Sequence, residues 1–100
     1  MFTATYPASF LPERNGKGFH VRFQDLPEAL TGGSDLEDTL AQAADCLAEA
    51  IAGRIVRGDG IPAPSKLKRG QHPVGVPLYL APKLALYLAP RRAPVLNLHA

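Results

Sequence analysis

Residues 31–43, TGGSDLEDTLAQA, contain the signals for the start of a long helix. Ser34 and Glu37 have the spacing of a capping box, in which the two side chains satisfy free backbone donors at a helix start. The acids Asp35, Glu37 and Asp38 suit the positive end of the helix dipole. The sequence therefore predicts a helix whose N-cap is Ser34.

The predicted helix continues for about six turns with one apolar stripe. The stripe consists of residues three to four positions apart, namely Leu36, Leu40, Ala43, Leu47, Ile51 and Ile55. Arg54 and Arg57 suit the negative end of the dipole, and Gly58 or Gly60 supplies the stop. We expect this helix to lie across one face of a sheet.

The residues before the helix predict antiparallel strands. Apolar and smaller or polar residues alternate over residues 2–10 and again over 19–23, which is the period of a strand with one buried face. Asn15-Gly16 between them is a strong hairpin signal. Pro7 cannot donate to a ladder, so its nitrogen should face away from any pairing neighbour. Residues 29–31 could add a short third strand.

The residues after the helix predict a connection, one more strand and an extension. Residues 61–73 are proline-rich and basic, and apolar residues alternate over 74–81. Residues 82–100 form a short C-terminal extension with one short helix bounded by prolines. The fold class is therefore α+β: residues 1–81 form a small antiparallel sheet with one long helix packed on one face.

Length and composition fit one small domain of 100 residues, 46% of them hydrophobic. No apolar run approaches the ~20 residues that cross a bilayer, and the first residues do not have the pattern of a secretory signal. Cys46 is the single cysteine, which excludes an internal disulfide and fits the cytoplasm. We expect a cytoplasmic protein with no membrane partner.

No set of residues has the spacing of a catalytic or metal site. The histidines and Cys46 lack ligand spacing, and His20 is interpreted as an exposed strand residue. There is neither a phosphate-binding glycine loop nor a nucleophile elbow. The sequence predicts a protein that is not an enzyme, with no catalytic residue, cofactor or metal.

Charge is divided between the two parts of the chain. Residues 1–60 have five basic residues against nine acids, a net charge of −4, and residues 61–100 have six basic residues and no acid, a net charge of +6. This asymmetry indicates charged partners, although the basic part is equally well explained as a solvated tail. The acids selected as contacts for a basic partner are Asp25, Glu28, Asp38, Asp45 and Glu49. The residues selected as contacts for nucleic acid are Lys66, Lys68, Arg69, Arg91 and Arg92.

Several segments, in their order and spacing, resemble the HicB-type antitoxins of bacterial toxin–antitoxin pairs. They are Tyr6-Pro7-Ala8, GFHVRF at 18–23, Asp25-Leu26-Pro27, residues 31–43 and the proline-rich Ile61-Pro62-Ala63-Pro64-Ser65. The resemblance covers roughly residues 3–65. It implies a partial RNase H-like fold, β-β-β-α-β, without the catalytic carboxylates of the nuclease. It also implies binding and neutralisation of a small basic toxin (HicA type) that cleaves messenger RNA.

The sequence departs from the family pattern in two places. Glu28-Ala29 stands where the family often has glycine followed by cysteine or an aromatic residue. Many members also carry a C-terminal helix-turn-helix or ribbon-helix-helix that binds their operator. Here residues 76–88 resemble the lead-in to such a module, and the ten residues 91–100, with Pro94 among them, cannot supply two packed helices and a turn. This puts sequence-specific DNA binding in doubt and leaves DNA as a partner, and transcriptional autoregulation as a role, as open alternatives.

Three functions remain as hypotheses: an antitoxin, a regulatory protein that binds nucleic acid through the basic C-terminal segment, and a solitary oligomeric family member without a toxin. A homodimer or higher oligomer is expected in each case, because a sheet this small leaves unpaired edges. The fourth strand or the segment after Pro82 is the predicted interface.

Overall fold

The computed structural model describes residues 5–77, which form one antiparallel sheet and one helix. The elements in chain order are β1 (Thr5–Pro12), β2 (Phe19–Phe23), β3 (Leu30–Gly33), α1 (Leu36–Arg57) and β4 (Gln71–Gly75). The strands lie in the order β3-β2-β1-β4, and each neighbouring pair is antiparallel. This arrangement confirms the predicted α+β class and the element order β-β-β-α-β.

The core lies between α1 and one face of the sheet. Its buried apolar residues are Tyr6, Ala8, Val21, Phe23, Leu26, Ala29, Ala43, Leu47, Ala48, Ile51, Ile61 and Val74. The strand residues among them alternate with exposed or half-buried ones, with the exception of Pro7, which is buried. The burial of apolar surface on this one face is the main force that holds the helix to the sheet.

The first two strands form the predicted hairpin. Leu11 lies opposite His20 and Pro12 opposite Phe19, and the Glu13 N–H donates to the Gly18 carbonyl at 3.1 Å. Gly16 takes a φ of 76° in the turn, a left-handed conformation that glycine adopts without strain. The Asn15-Gly16 signal is therefore confirmed.

Two prolines face each other where β1 pairs with β4. Pro7 lies directly opposite Pro73, and neither residue has an N–H to exchange. Such a pair fits a position at which backbone donors point away from the partner strand. The pairing of β1 with β2 ends at Ala8, so Pro7 lies just beyond that ladder. β1 can therefore be a central strand in spite of its proline.

The helix begins one residue later than predicted. Asp35 is the N-cap, and its side chain accepts a hydrogen bond from the Asp38 N–H at 2.8 Å. Asp38 in turn accepts from the Ser34 N–H at 2.8 Å. The predicted Ser34–Glu37 capping box is wrong. Asp35 and Asp38 have the same spacing, and their side chains are the acceptors in place of those of Ser34 and Glu37.

The N-terminal part of the apolar stripe is also wrong. Leu36 and Leu40 are 48% and 44% exposed, whereas Thr39 is fully buried. The cause is a close approach of β3: a Cβ on Gly33 would stand 2.6 Å from the backbone nitrogen of Thr39. Glycine at 33 lets this first turn of α1 rest on the strand through Thr39 rather than through a leucine.

The C-terminal end of the helix follows the prediction. Arg54 and Arg57 lie in the last turn, and Gly58 ends the helix with a φ of 75°. The Gly58 N–H donates to the Ile55 carbonyl at 3.2 Å, and the Asp59 N–H donates to the Arg54 carbonyl at 2.9 Å. Of the two glycines proposed as the stop, the structure selects Gly58.

The fourth strand lies earlier in the chain than predicted. It runs from Gln71 to Gly75, so three residues assigned to the 61–73 connection belong to it. Pairing with β1 overrides the weak strand propensity of Gln71, His72 and Pro73. The predicted strand residues 78–81 and the predicted helix and extension of 82–100 lie outside the described residues.

Candidate functional site

Three of the acids selected from the sequence lie on one face of α1. Asp38, Asp45 and Glu49 are seven and four residues apart, which places them on the same side of a helix. The buried residues Ala43, Leu47 and Ile51 lie on the side that faces the sheet. We call the three acids the acidic helix face.

The members of the acidic helix face differ in how far they are engaged. Asp38 accepts hydrogen bonds from the Ser34 N–H, the Ser34 hydroxyl and Gln42, and the first of these is the main cause of its lowered pKa. Asp45 and Glu49 are exposed, and neither has an ion pair or a side-chain hydrogen bond within residues 5–77. These two carboxylates are therefore the ones available to a partner.

A shallow depression lies beside this face, between α1 and the connection from β2 to β3. Its volume is about 260 Å³, and its lining includes Glu28, Leu30, Cys46, Glu49 and Ala50. Leu30 is 63% exposed, and burial is the main cause of the raised pKa of the Cys46 thiol. The lining is mixed, because it also contains Ala29 and the cation Arg57. Glu49 belongs to both the depression and the acidic helix face.

Glu28 is held in an ion pair with Arg54. Arg54 Nε donates to Glu28 Oε2 at 2.7 Å, and Nη2 donates to Oε1 at 2.8 Å. These hydrogen bonds are the main reason that the pKa of Glu28 is lowered to about 2. Arg54 also donates to the Gly60 carbonyl at 2.8 Å. Glu28 therefore positions the β2–β3 connection against the end of α1, and its charge is already neutralised.

Asp25 is also engaged within the chain. It accepts hydrogen bonds from the N–H of Ser65, at 2.9 Å, and from the Ser65 hydroxyl. A second anchor lies nearby in the chain, where the Tyr6 hydroxyl donates to the Pro62 carbonyl at 2.7 Å. Burial raises the pKa of Tyr6 to about 12. Both contacts fix the connection after α1 to the sheet, so the structure separates Asp25 from the acidic helix face.

The predicted basic contacts lie partly within the described residues. Lys66, Lys68 and Arg69 are exposed in the connection that leads into β4, and Arg91 and Arg92 lie outside the described residues. Arg22, which the sequence analysis did not select, is exposed on the face of the sheet opposite α1. The alternating pattern of β2 could have identified Arg22 as exposed, because Val21 and Phe23 on either side of it are buried.

The two histidines within residues 5–77 lie on the sheet, each beside one neighbouring side chain. His20 is exposed as predicted, and its Nδ1 lies 3.3 Å from Glu13 Oε2. His72 stacks on Phe10 with 4.5 Å between the ring centroids. Among residues 5–77, no three His, Cys, Asp or Glu side chains are grouped as a metal site would need. Within the same residues, α1 is not apolar enough to cross a membrane.

The described residues thus form a small α+β domain with two exposed carboxylates, Asp45 and Glu49, beside a shallow depression of mixed polar and apolar lining. Residues 5–85 match the family described as "HicB_like antitoxin of bacterial toxin-antitoxin system". The chain belongs to this family of antitoxins. The match includes every residue of the acidic helix face and of the sheet.

Individual relatives agree with the family match. The chain is similar to "Antitoxin HicB" of Escherichia coli (strain K12), with 37% identity over 81 residues, 81% of this chain and 58% of the relative. It is also similar to "Antitoxin HicB 2" of Photorhabdus laumondii subsp. laumondii, with 41% identity over 81 residues, 81% of this chain and 55% of the relative. The chain spans just over half the length of these two curated relatives.

Proposed function

We propose that this protein binds and neutralises a small basic toxin of the HicA type, without catalysing a reaction itself. The observation that carries the proposal is the acidic helix face, where Asp45 and Glu49 are exposed and have no partner within residues 5–77. Membership of an antitoxin family supplies the class of partner.

The mechanism follows from the charge that such a toxin must carry. A protein that cleaves messenger RNA binds phosphates through basic side chains, which leaves a positive surface when RNA is absent. The acidic helix face is complementary to that surface and accelerates encounter with it. When α1 binds the basic surface of the toxin, it covers the toxin residues that would contact RNA. Binding alone is therefore enough to inhibit the toxin.

The depression beside Glu49 adds an apolar part to the interface. Charges at the rim of an interface mainly set the rate of encounter and the choice of partner, whereas a buried apolar anchor supplies much of the affinity. Leu30 and Ala50 line a space that can receive one toxin side chain. Glu28 acts as a positioning residue here, because its ion pair with Arg54 fixes the wall of the depression.

The first experiment is a pull-down of the full chain with the product of the adjacent small gene, repeated at high salt and identified by mass spectrometry. We expect a stoichiometric complex with a basic protein, weakened by salt. Co-expression of the two genes should restore growth. Full toxicity in the presence of this protein would contradict the proposal.

Charge reversal then locates the interface. Asp45→Lys and Glu49→Lys should each weaken the complex by about 10-fold or more, since each places a cation against a basic surface. Glu13→Lys is the matched control: it changes the net charge equally just after β1, outside α1, and should leave affinity within about 2-fold. Equal loss in all three variants would show a general charge effect and not a site on α1.

A further inference from the structure

The face of the sheet opposite α1 carries a groove across all four strands. Arg22 lies directly opposite Leu30 on one side and Ser9 on the other, and Ser9 lies opposite Gln71. These four residues, together with Phe23, Gln24 and Pro27, line an open groove of about 570 Å³. No element of residues 5–77 packs over the groove.

Arg22 stands at the centre of this groove without an acidic partner. All nine acids of the chain lie between residues 13 and 59, within the described part, and none of them pairs with Arg22. An exposed guanidinium that makes no side-chain hydrogen bond within residues 5–77 is suited to bind a carboxylate or a phosphate from another molecule.

The basic connection is held at the rim of the same groove. The Lys68 N–H donates to Gln71 Oε1 at 2.8 Å, and Gln71 Nε2 donates to Gln24 Oε1 at 3.1 Å. Ser65, before the basic residues, is bonded to Asp25, the next residue after Gln24. Ser65 and Lys68 are thus anchored to residues that follow or neighbour the end of β2, the strand that carries Arg22.

We propose that this groove and residues 66–69 form a binding surface for the backbone of single-stranded RNA. Four cations, Arg22, Lys66, Lys68 and Arg69, suit a chain of regularly spaced phosphates better than one carboxylate. The Ser9 hydroxyl and the Gln24 amide nitrogen add groups that can contact a 2′-hydroxyl, which DNA lacks. The aromatic residue in the lining, Phe23, is only 2% exposed and offers no face for a base to stack on, so binding depends on the backbone and not on base sequence.

The surface lies on the opposite side of the molecule from the acidic helix face. The two surfaces share Leu30 at the edge of the sheet, but the charged residues that each proposal depends on are different. RNA binding can fail while toxin binding holds, and the reverse is equally measurable. The two outcomes are separated because the first depends on cations of the sheet and connection and the second on carboxylates of α1.

The test is fluorescence anisotropy of the full chain with a labelled, mixed-sequence single-stranded RNA of about 12 nucleotides. Four phosphate contacts give a slope of log affinity against log salt of about −2.8, a loss of roughly 50-fold between about 50 and about 200 mM salt. Arg22→Gln should reduce this slope by about 0.7. Lys66→Gln/Lys68→Gln/Arg69→Gln should reduce it by about 2.

Control variants show whether the loss of RNA affinity is specific to the four cations of the proposed surface. Lys17→Gln removes an exposed cation from the β1–β2 turn and should leave RNA affinity within about 2-fold, and Arg22→Lys should recover most of the affinity lost in Arg22→Gln. Thermal melting followed by circular dichroism shows that each variant is folded. The absence of RNA binding at 50 mM salt, an unchanged slope in Arg22→Gln, or equal affinity for single-stranded DNA or duplex RNA would each overturn the proposal.

Discussion

Glu28 and Arg54 show how one ion pair links two parts of the chain that are 26 residues apart. The pair is bidentate, and the side chain of Arg54 is 21% exposed, so its hydrogen bonds are partly protected from solvent. Because Arg54 also bonds to the Gly60 carbonyl, the same guanidinium holds the start of the next connection. Its effect is therefore on the position of three segments at once.

The lowered pKa of Glu28 makes stability dependent on acid pH. The folded value is about 2 against an ordinary value of 4.5, so the contribution is present above pH 4.5 and is lost as pH falls through 4.5 towards 2. With discount for solvent screening, Glu28→Gln should cost about 1 kcal/mol of the free energy of unfolding at pH 7 and almost nothing near pH 2. Urea denaturation at several pH values measures this.

The control for this pH dependence is Asp45→Asn, which removes a carboxylate that has no partner within residues 5–77. Its stability difference from the unchanged protein should stay close to zero across the same pH range. A difference for Glu28→Gln that is equal at pH 7 and at pH 2 would show that the ion pair does not stabilise the fold.

The start of α1 tests capping at the scale of a single element. Asp35 is the N-cap and accepts from the Asp38 N–H, so Asp35→Ala should lower the free energy of unfolding by about 1 kcal/mol. Ser34→Ala keeps the N-cap bond and loses a weaker contact, 3.3 Å from the Ser34 hydroxyl to Asp38, so it should cost a few tenths of that. Thermal unfolding of both variants measures the difference; a larger loss in Ser34→Ala would restore serine as the cap.

The elements that the sequence predicted best are those fixed by neighbours in the chain. The hairpin at Asn15-Gly16, the extent of α1 and the stop at Gly58 depend on local turn and helix chemistry, and each is confirmed. The N-cap was misplaced by one residue, because Ser34 with Glu37 and Asp35 with Asp38 have equal spacing. β4 was misplaced because its pairing with β1, and not its own pattern, makes it a strand.

The candidate site was less accessible from sequence than the fold. Asp25 and Glu28 were selected by charge, but their partners Ser65 and Arg54 lie 40 and 26 residues further along the chain. No periodic pattern records such contacts, since they exist only after the connection folds back on the sheet. Asp45 and Glu49 could be found because helical spacing alone places them on one exposed face.

At the scale of the whole molecule, the two charged surfaces lie on opposite sides of a single sheet. The acidic helix face belongs to the layer formed by α1, and Arg22 belongs to the uncovered side of β2. This separation follows from the alternation of strands, which sends successive side chains to opposite faces. Because α1 is the one helix among residues 5–77, this part of the chain leaves one face of its sheet open for contacts.

The edges of the sheet carry the last prediction, which is a homodimer. β3 and β4 are the outer strands, and neither has a second neighbour within residues 5–77, so each has unpaired backbone groups. Light scattering at micromolar concentration should give twice the mass of one chain.

If β4 is the interface, Gly75→Lys should shift the protein towards monomer, because it brings like charges together across the shared edge. Gly60→Lys is the matched control, since at both glycines an added Cβ meets nothing within 4 Å. A monomer for the unchanged chain would refute the dimer, and a dimer retained in Gly75→Lys would move the interface away from β4.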